Sequence, residues 1–285
     1  MDSSKGGDDL KKSVKIILIA LCYIFLCVFM FSGYKIFTIM REYKEAENMY
    51  SDLSNQFVSA QATPAPTKKP DSSADPQATE PPVEPTPDPN VSPISVDFNK
   101  LLETNGDVRG WLLNPDTIIN YPFVQGVDND YYLYRFLDGS SNSSGTLFVD
   151  YRCAGDFSSN HTIIYGHNMR DGSMFGNLKM IVQDPTVCQV NRYFYIYTED
   201  CVYTYEVFSC YRVDSSSDRY MTFTSDENYD LYTEWAVENS VMESDADLSQ
   251  RGNIVSLSTC HGTAGTSRRL IVHGVLVLTE EYTIK

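Results

Sequence analysis

Apolar and polar positions fall into three patterns along this 285-residue chain. The first is unbroken. Nineteen residues from Ile16 to Tyr34 lie between Lys15 and Lys35 without a charge. At about 1.5 Å per residue, a helix of that length spans roughly 28 Å, close to the hydrocarbon thickness of a bilayer. Lys5, Lys11, Lys12 and Lys15 precede the run. Positive charge ahead of a first span predicts an N-in, C-out orientation. No small-x-small cleavage site follows, so the pattern predicts an uncleaved signal-anchor. A cytoplasmic tail would occupy 1–15 and a transmembrane helix 16–34.

The second pattern has no apolar periodicity. Residues 35–61 form a mixed-charge juxtamembrane segment, in which Arg41-Glu-Tyr-Lys-Glu-Ala-Glu47 predicts a short helix. Ten of the thirteen prolines then fall within 62–93, among Ser, Thr, Ala, Asp and Glu. Such a stretch cannot bury a core and tends toward extended polyproline II. At about 3 Å per residue it reaches roughly 90 Å. It reads either as a spacer through a cell wall or as a disordered linker without a length requirement.

The third pattern covers 94–285, one domain in length. Two helical patches come early, Asp97–Glu103 and Asp130–Phe136. Runs rich in β-branched and aromatic residues follow at 146–149, 161–165, 192–197, 201–213, 254–259 and 269–278. Thr224-Ser-Asp-Glu227 has capping-box spacing and predicts a helix to about Asn239. Many short strands with few helices predict a mainly β fold, a β-barrel with peripheral helices.

Charge narrows the partners. The chain carries −16, and from Ile94 onward 26 acidic residues face 13 basic ones. Phosphate binding needs basic patches, so nucleic acid is excluded as a partner. A cationic amine suits the acidity better. Of seven cysteines, Cys22 and Cys27 lie in the span. The five outside it (Cys153, Cys188, Cys201, Cys210 and Cys260) are odd in number, so at least one is free or pairs between chains. Cys201 and Cys210 read as ordinary strand residues ahead of a bridge.

Cys260 ends the apolar run Ile254-Val-Ser-Leu-Ser-Thr-Cys260, and the polar turn His261-Gly-Thr-Ala-Gly265 follows. A thiol at a strand end is rigidly held yet accessible, which suits a nucleophile. A lone cysteine is also commonly a small buried hydrophobe. Among the four histidines, His261 is adjacent to the thiol and points to the opposite face. His273 lies deep in an apolar strand, and His161 starts one. His167 sits in a Gly-His-Asn turn just past a strand, where scaffolds place functional groups. Arg268 and Arg269 open the last strand, and either could meet charge developing on a carbonyl oxygen. The turn length hides the register, so parity does not choose between them. The spacings form no metal site, phosphate loop or Gly-x-Ser-x-Gly elbow.

Together these motifs resemble the sortases, the cysteine transpeptidases of Gram-positive cell walls. Leu257-Ser-Thr-Cys260 followed closely by Arg is similar to the family's signature. Tyr165-Gly-His-Asn-Met-Arg-Asp-Gly-Ser-Met-Phe-Gly-Asn-Leu178 resembles the histidine segment of class B. Asn120-Tyr-Pro-Phe-Val-Gln125 with Asp128-Asn-Asp-Tyr-Tyr132, and Gly145-Thr-Leu-Phe-Val-Asp150, are similar to that class in order and spacing. The helix near 225–239 fits the class B insertion. The resemblance implies a closed sortase barrel over 94–285, with Cys260 as nucleophile, His167 as general acid/base and Arg269 as oxyanion stabiliser, Arg268 being the fallback. It places Ser258, Asn120 and Val124 against the bound sorting peptide. It implies cleavage of an Asn-Pro-x-Thr signal after Thr through a thioester, and transfer of the surface protein to an amine of peptidoglycan or lipid II. No metal or cofactor is required. Three rivals share these features, the first being an L,D-transpeptidase, which would place its arginine two residues after the cysteine, where Gly262 stands. A pilin-polymerising sortase would show a C-terminal membrane segment, whereas the sequence ends at Tyr282-Thr-Ile-Lys285. A non-catalytic binding module on a stalk would show no special reactivity at Cys260.

Overall fold

Strand pairing follows the alternating runs of the third pattern and closes them into a barrel. The computed structural model describes residues 5–60, 94–115, 117–184, 186–187, 192–217, 226–260 and 267–281. Helix α1 (Lys5–Phe57) leads into β1 (Val58–Ala60). Then come β2 (Ile94–Val96), α2 (Phe98–Thr104), β3 (Val108–Leu113), β4 (Asn120–Val124), a 3-10 turn (Tyr131–Tyr134) and β5 (Leu147–Val149). β6 (His161–His167), α3 (Lys179–Gln183), β7 (Tyr193–Tyr197) and β8 (Cys201–Asp214) follow. Helix α4 (Asp226–Glu238) precedes the last pair, β9 (Ile254–Cys260) and β10 (Arg268–Glu281).

Eight strands form the closed barrel, in the order β10-β8-β7-β3-β4-β5-β6-β9. Most neighbours are antiparallel, but β4 with β5 and β6 with β9 run parallel. Inward positions are filled by large apolar groups, with Leu112, Phe123 and Phe194 wholly buried. Helix α4 covers part of the outer wall. Tyr229, Tyr232 and Ala236 recur at helical spacing and pack on Phe208, Tyr211, Ile254 and Ile271. Arg251 holds the helix from outside through a two-bond pair with Asp230, at 3.1 and 2.8 Å. The capping box expected at Thr224 lies outside the described residues.

Two strands have weak sequence signals. β3 contains Gly110 and β4 contains Pro122, both poor strand formers. Gly110 is required by crowding: a Cβ there would collide with the Phe123 ring and the Tyr197 carbonyl. The patch expected to be helical over 130–136 is a single 3-10 turn. Cys153, Cys201 and Cys210 are buried free thiols. Cys201 and Cys210 sit nine residues apart on β8, roughly 30 Å at about 3.3 Å per residue. No bridge can cover that distance.

The chain forms two compact units, Met1–Met49 and Tyr50–Lys285. The first is α-helical from Lys5, and its apolar run is long enough to cross a membrane. The second starts well before residue 94. Tyr50, Leu53 and Phe57 recur at i, i+3 and i+7 and are buried. Tyr50 packs edge-on against Tyr121 and Phe136, at 5.1 and 5.8 Å between centroids, and its hydroxyl donates to the Gly145 carbonyl. β1 then pairs antiparallel with β2, Ala60 opposite Ile94, and the Asp97 N–H donates to the Phe57 carbonyl at 2.8 Å. The Pro-rich segment expected over 62–93 lies outside the described residues. The described residues on either side of it, Ala60 and Ile94, are strand partners.

Candidate active site

Parallel pairing of β6 with β9 is the geometric centre of the site. Seven consecutive pairs run from His161↔Ile254 to His167↔Cys260. Both strands end together, and their last residues are partners. Paired positions on neighbouring strands share a face of the sheet. Alternation then puts 161, 163, 165 and 167 on one face with 254, 256, 258 and 260.

The same logic separates the two arginines. β10 pairs with β9 antiparallel, Ile271 opposite Ser258 and His273 opposite Ser256. Continued two residues along each strand, this register sets position 269 opposite position 260. Position 268 falls on the other face. Arg269 is half-buried, whereas Arg268 is exposed. The Asp214 carboxyl, near Arg269, is held down at about 2, chiefly by the Ser267 hydroxyl and the Ser216 backbone, with Arg269's charge adding to the effect. Positions 167, 260 and 269 therefore come from three adjacent strands and occupy one face at one barrel end.

His167 is oriented by a backbone acceptor. Its Nε2 lies 2.6 Å from the Leu133 carbonyl oxygen. A carbonyl only accepts, so Nε2 carries the hydrogen, and Nδ1 is the basic nitrogen of the neutral ring. The Tyr134 ring lies against the imidazole, centroids 5.4 Å apart. Leu133 and Tyr134 are fixed by the Asp128–Tyr132 segment. Asp128 Oδ1 accepts from the backbone N–H groups of Asp130 and Tyr131 at 3.0 and 2.8 Å. The Tyr132 hydroxyl donates to Asp107 Oδ2 at 2.7 Å, and burial together with that carboxylate pushes the phenol up to about 12. Beyond β6, the Phe175 N–H donates to the His167 carbonyl at 2.9 Å. Gly166 lets this turn close, because a Cβ would strike Leu147 and Phe175.

The other two strand histidines do different work. His161 and His273 are fully buried on the same outer face, beneath α4. His261 lies outside the described residues. The expected peptide contacts are not placed alike. Val124 and Ser258 have no exposed surface, so neither lines an open groove. Ser258 does share the site's face, two positions behind 260. Asn120 is half-buried and bonds to the framework: its Oδ1 accepts from Trp111 Nε1 at 2.6 Å, and its Nδ2 donates to Ser54 at 3.3 Å.

An open pocket of about 530 Å³ adjoins the site. Arg269, Leu133, Tyr134, Tyr165, Arg152 and Asp130 line it. Sequence reasoning missed Leu133, whose contribution is a carbonyl that no side-chain pattern marks. It also missed Arg152, although the quoted motif stops two residues short of it.

A closed eight-stranded barrel of this kind is typical of a class of cysteine transpeptidases that act at the cell wall. A sortase domain matches residues 115–277, and the chain belongs to the sortase family. Its relatives are class B. Sortase B of Listeria monocytogenes is 30% identical over 90% of this chain and 96% of that protein. Sortase B of Staphylococcus aureus is 28% identical over 61% of this chain and 72% of that protein. The crystal structure of sortase B from Bacillus anthracis in complex with AAEK1 superposes with a TM-score of 0.65 at 30% identity, covering 84% of this chain and 99% of that one. The family acts on sorting-signal proteins and cell-wall amine acceptors.

Proposed function

We propose that the chain is a membrane-anchored class B-type sortase that cleaves an Asn-Pro-x-Thr signal after Thr and joins the protein to a peptidoglycan amine, with Cys260, His167 and Arg269 in the catalytic roles. The observation that carries the assignment is the backbone register, which makes His167 the partner of Cys260 and continues to Arg269. The Cys260 thiolate attacks the Thr carbonyl carbon. Arg269 meets the negative charge that develops on the carbonyl oxygen. As the tetrahedral intermediate collapses, the C–N bond breaks and protonated His167 gives its proton to the leaving amine. A thioester remains. The acceptor amine loses a proton to His167 and attacks the thioester, and the thiolate departs. The thiol of an unperturbed cysteine titrates near 8.5, so a neighbouring cation favours the thiolate at neutral pH.

The apolar stretch of α1 anchors the enzyme with its N-terminus inside, and the barrel faces the wall. Cleavage of Asn-Pro-x-Thr and Leu-Pro-x-Thr peptides by the full chain in detergent tests the reading. Asn-Pro peptides are cut, and Cys260→Ala and His167→Ala abolish cutting. Turnover retained by either variant removes that residue from the mechanism. Equal thiol labelling of wild type and Cys260→Ala favours the non-catalytic module instead.

A further inference from the structure

The pocket beside Arg269 contains a second arginine that the acyl-transfer chemistry does not use. Arg152 is held as a rigid fork. Its Nε and Nη2 donate to the two oxygens of Asp150 at 2.9 and 2.6 Å, and its backbone N–H donates to Asp150 Oδ1 at 2.9 Å. Tyr165 adds a bond to Asp150 Oδ2 at 3.0 Å. The Asp150 side chain is 1% exposed and that of Arg152 is 53% exposed. Burial pushes the Asp150 carboxyl up, but the Arg152 bonds outweigh it and hold the group below its ordinary value. The aspartate thus stays ionised and fixes the guanidinium in place. Among the described residues, no bond is made by Arg152 Nη1, so the outer edge of the fork remains available to a ligand. An arginine locked in this way loses little entropy on binding a carboxylate.

Three further features of the pocket bear on the ligand. Arg269, which acts on the scissile carbonyl in the proposed reaction, lines the same space, so a molecule seated here lies next to the reacting acyl group. Asp130 adds an anionic side chain to the lining, and Ser215, Ser216 and Ser217 add hydroxyl-bearing ones. A cavity holding both a fixed cation and an anion suits a head group carrying both charges.

We propose that this pocket is the acceptor subsite and that Arg152 selects an amine bearing an adjacent carboxylate, the amino-acid head of a wall peptide, over one whose carboxyl group is amidated. The inference rests on the acyl-transfer reading above. Arg152 takes no part in breaking or making the thioester. It binds the carboxylate so that the neighbouring amine approaches the acyl group beside Arg269.

The test uses the full chain in detergent, an Asn-Pro-x-Thr peptide as donor, and glycine or glycinamide as acceptor. Donor cleavage that is lost in Cys260→Ala establishes the underlying reaction independently. The readout for the subsite is the ratio of transfer efficiency with glycine to that with glycinamide, taken within each enzyme. General losses of activity cancel in that ratio. Differences in amine basicity cancel between enzymes. Charge-assisted bonds to a carboxylate lead us to expect the ratio to fall about tenfold or more in Arg152→Gln and by an intermediate amount in Arg152→Lys, which keeps the charge but not the fork. Arg152→Lys also keeps a cation against Asp150, should the Gln variant fold poorly. An unchanged ratio in both variants, with donor cleavage intact in wild type, overturns the subsite while leaving the transpeptidase reading in place.

Discussion

His161 and His273 share one hydroxyl. Ser256 Oγ lies 2.6 Å from His161 Nε2 and 2.6 Å from His273 Nδ1. The His273 ring continues the chain through Nε2 to the Tyr211 hydroxyl at 2.8 Å. Phe208 and Tyr232 pack on it from β8 and α4. All four hydrogen-bonded groups are buried on the face that carries positions 167 and 260, Ser256 lying four residues behind 260 on β9. The network is a structural one, with each polar atom satisfied by the next.

That arrangement makes stability depend on acid. Burial, assisted by His161, holds His273 well below 6.5. The folded protein therefore refuses a proton that the unfolded chain accepts below about pH 6.5. Stability from this group is intact above that pH and falls as pH drops below it, by up to about 1.4 kcal/mol per pH unit. Urea unfolding at pH 7.5, 6 and 5 checks the slope. His273→Phe should flatten it, and equal slopes in wild type and variant would count against the assignment. Ser256→Ala leaves two imidazole nitrogens without their shared partner and should cost about 2–4 kcal/mol at neutral pH.

Arg269 and Arg268 are adjacent in sequence but fall on opposite faces of β10. The β9–β10 register carries only 269 to the face of His167 and Cys260. Losing one oxyanion donor costs on the order of 10²–10³ in rate. Arg269→Ala should lower kcat for peptide cleavage by about that factor. Arg268→Ala, at an exposed position, should stay within a few-fold of wild type. A reversed order in steady-state kinetics would move the oxyanion role to Arg268.

Much of this was legible in the residues. β8, β9 and β10 announced themselves as long runs of β-branched and aromatic residues, and helix α4 by spacing. The roles proposed for Cys260 and His167 drew on one sequence signal, an apolar run passing into polar, Gly-containing sequence. What sequence could not provide was register. Whether 268 or 269 faces the thiol depends on how β10 pairs with β9, a relation between distant segments. β3 and β4 were missed because Gly110 and Pro122 interrupt them, and Gly110 is there because Phe123 and Tyr197 leave no room for a side chain. The early start of the second unit was hidden because residues 50–57 look like a continuation of a charged helix. Tyr50, Leu53 and Phe57 become informative only once Tyr121 and Phe136 are seen opposite them.

The N-terminal clasp yields a prediction about which residues the folded part needs. A protein beginning at residue 94 lacks Tyr50, Leu53, Phe57 and strand β1, and it uncovers Tyr121, Phe136 and the edge of β2. Tyr50→Ala or Phe57→Ala in the full chain should each cost about 3 kcal/mol, as for other buried aromatics. Residues 61–93 behave oppositely. Ala60 and Ile94 are already partners, so a two-residue Asn-Gly turn joining them makes a hairpin. That deletion should leave the thermal midpoint within a few degrees of wild type. A large drop would show that the excised residues contribute to the fold.

The carbonyl that orients His167 cannot be removed by substitution, but its support can. Leu133 belongs to a 3-10 turn whose first N–H groups are capped by Asp128. Asp128→Ala removes both bonds and should cost about 1 kcal/mol of stability, as at other capped turns. If the cap acts only on stability, kinetics in the folded state are untouched. If it positions Leu133, the imidazole loses its fixed tautomer, and Nε2–H is no longer enforced. The second case predicts a fall in kcat of about tenfold with KM nearly constant, together with a shifted pH–rate profile, because the ring's proton affinity depends on that bond. Asp128→Asn retains an acceptor oxygen and should restore most of kcat. Identical profiles for Asp128→Ala and wild type would reduce Asp128 to a stabilising cap.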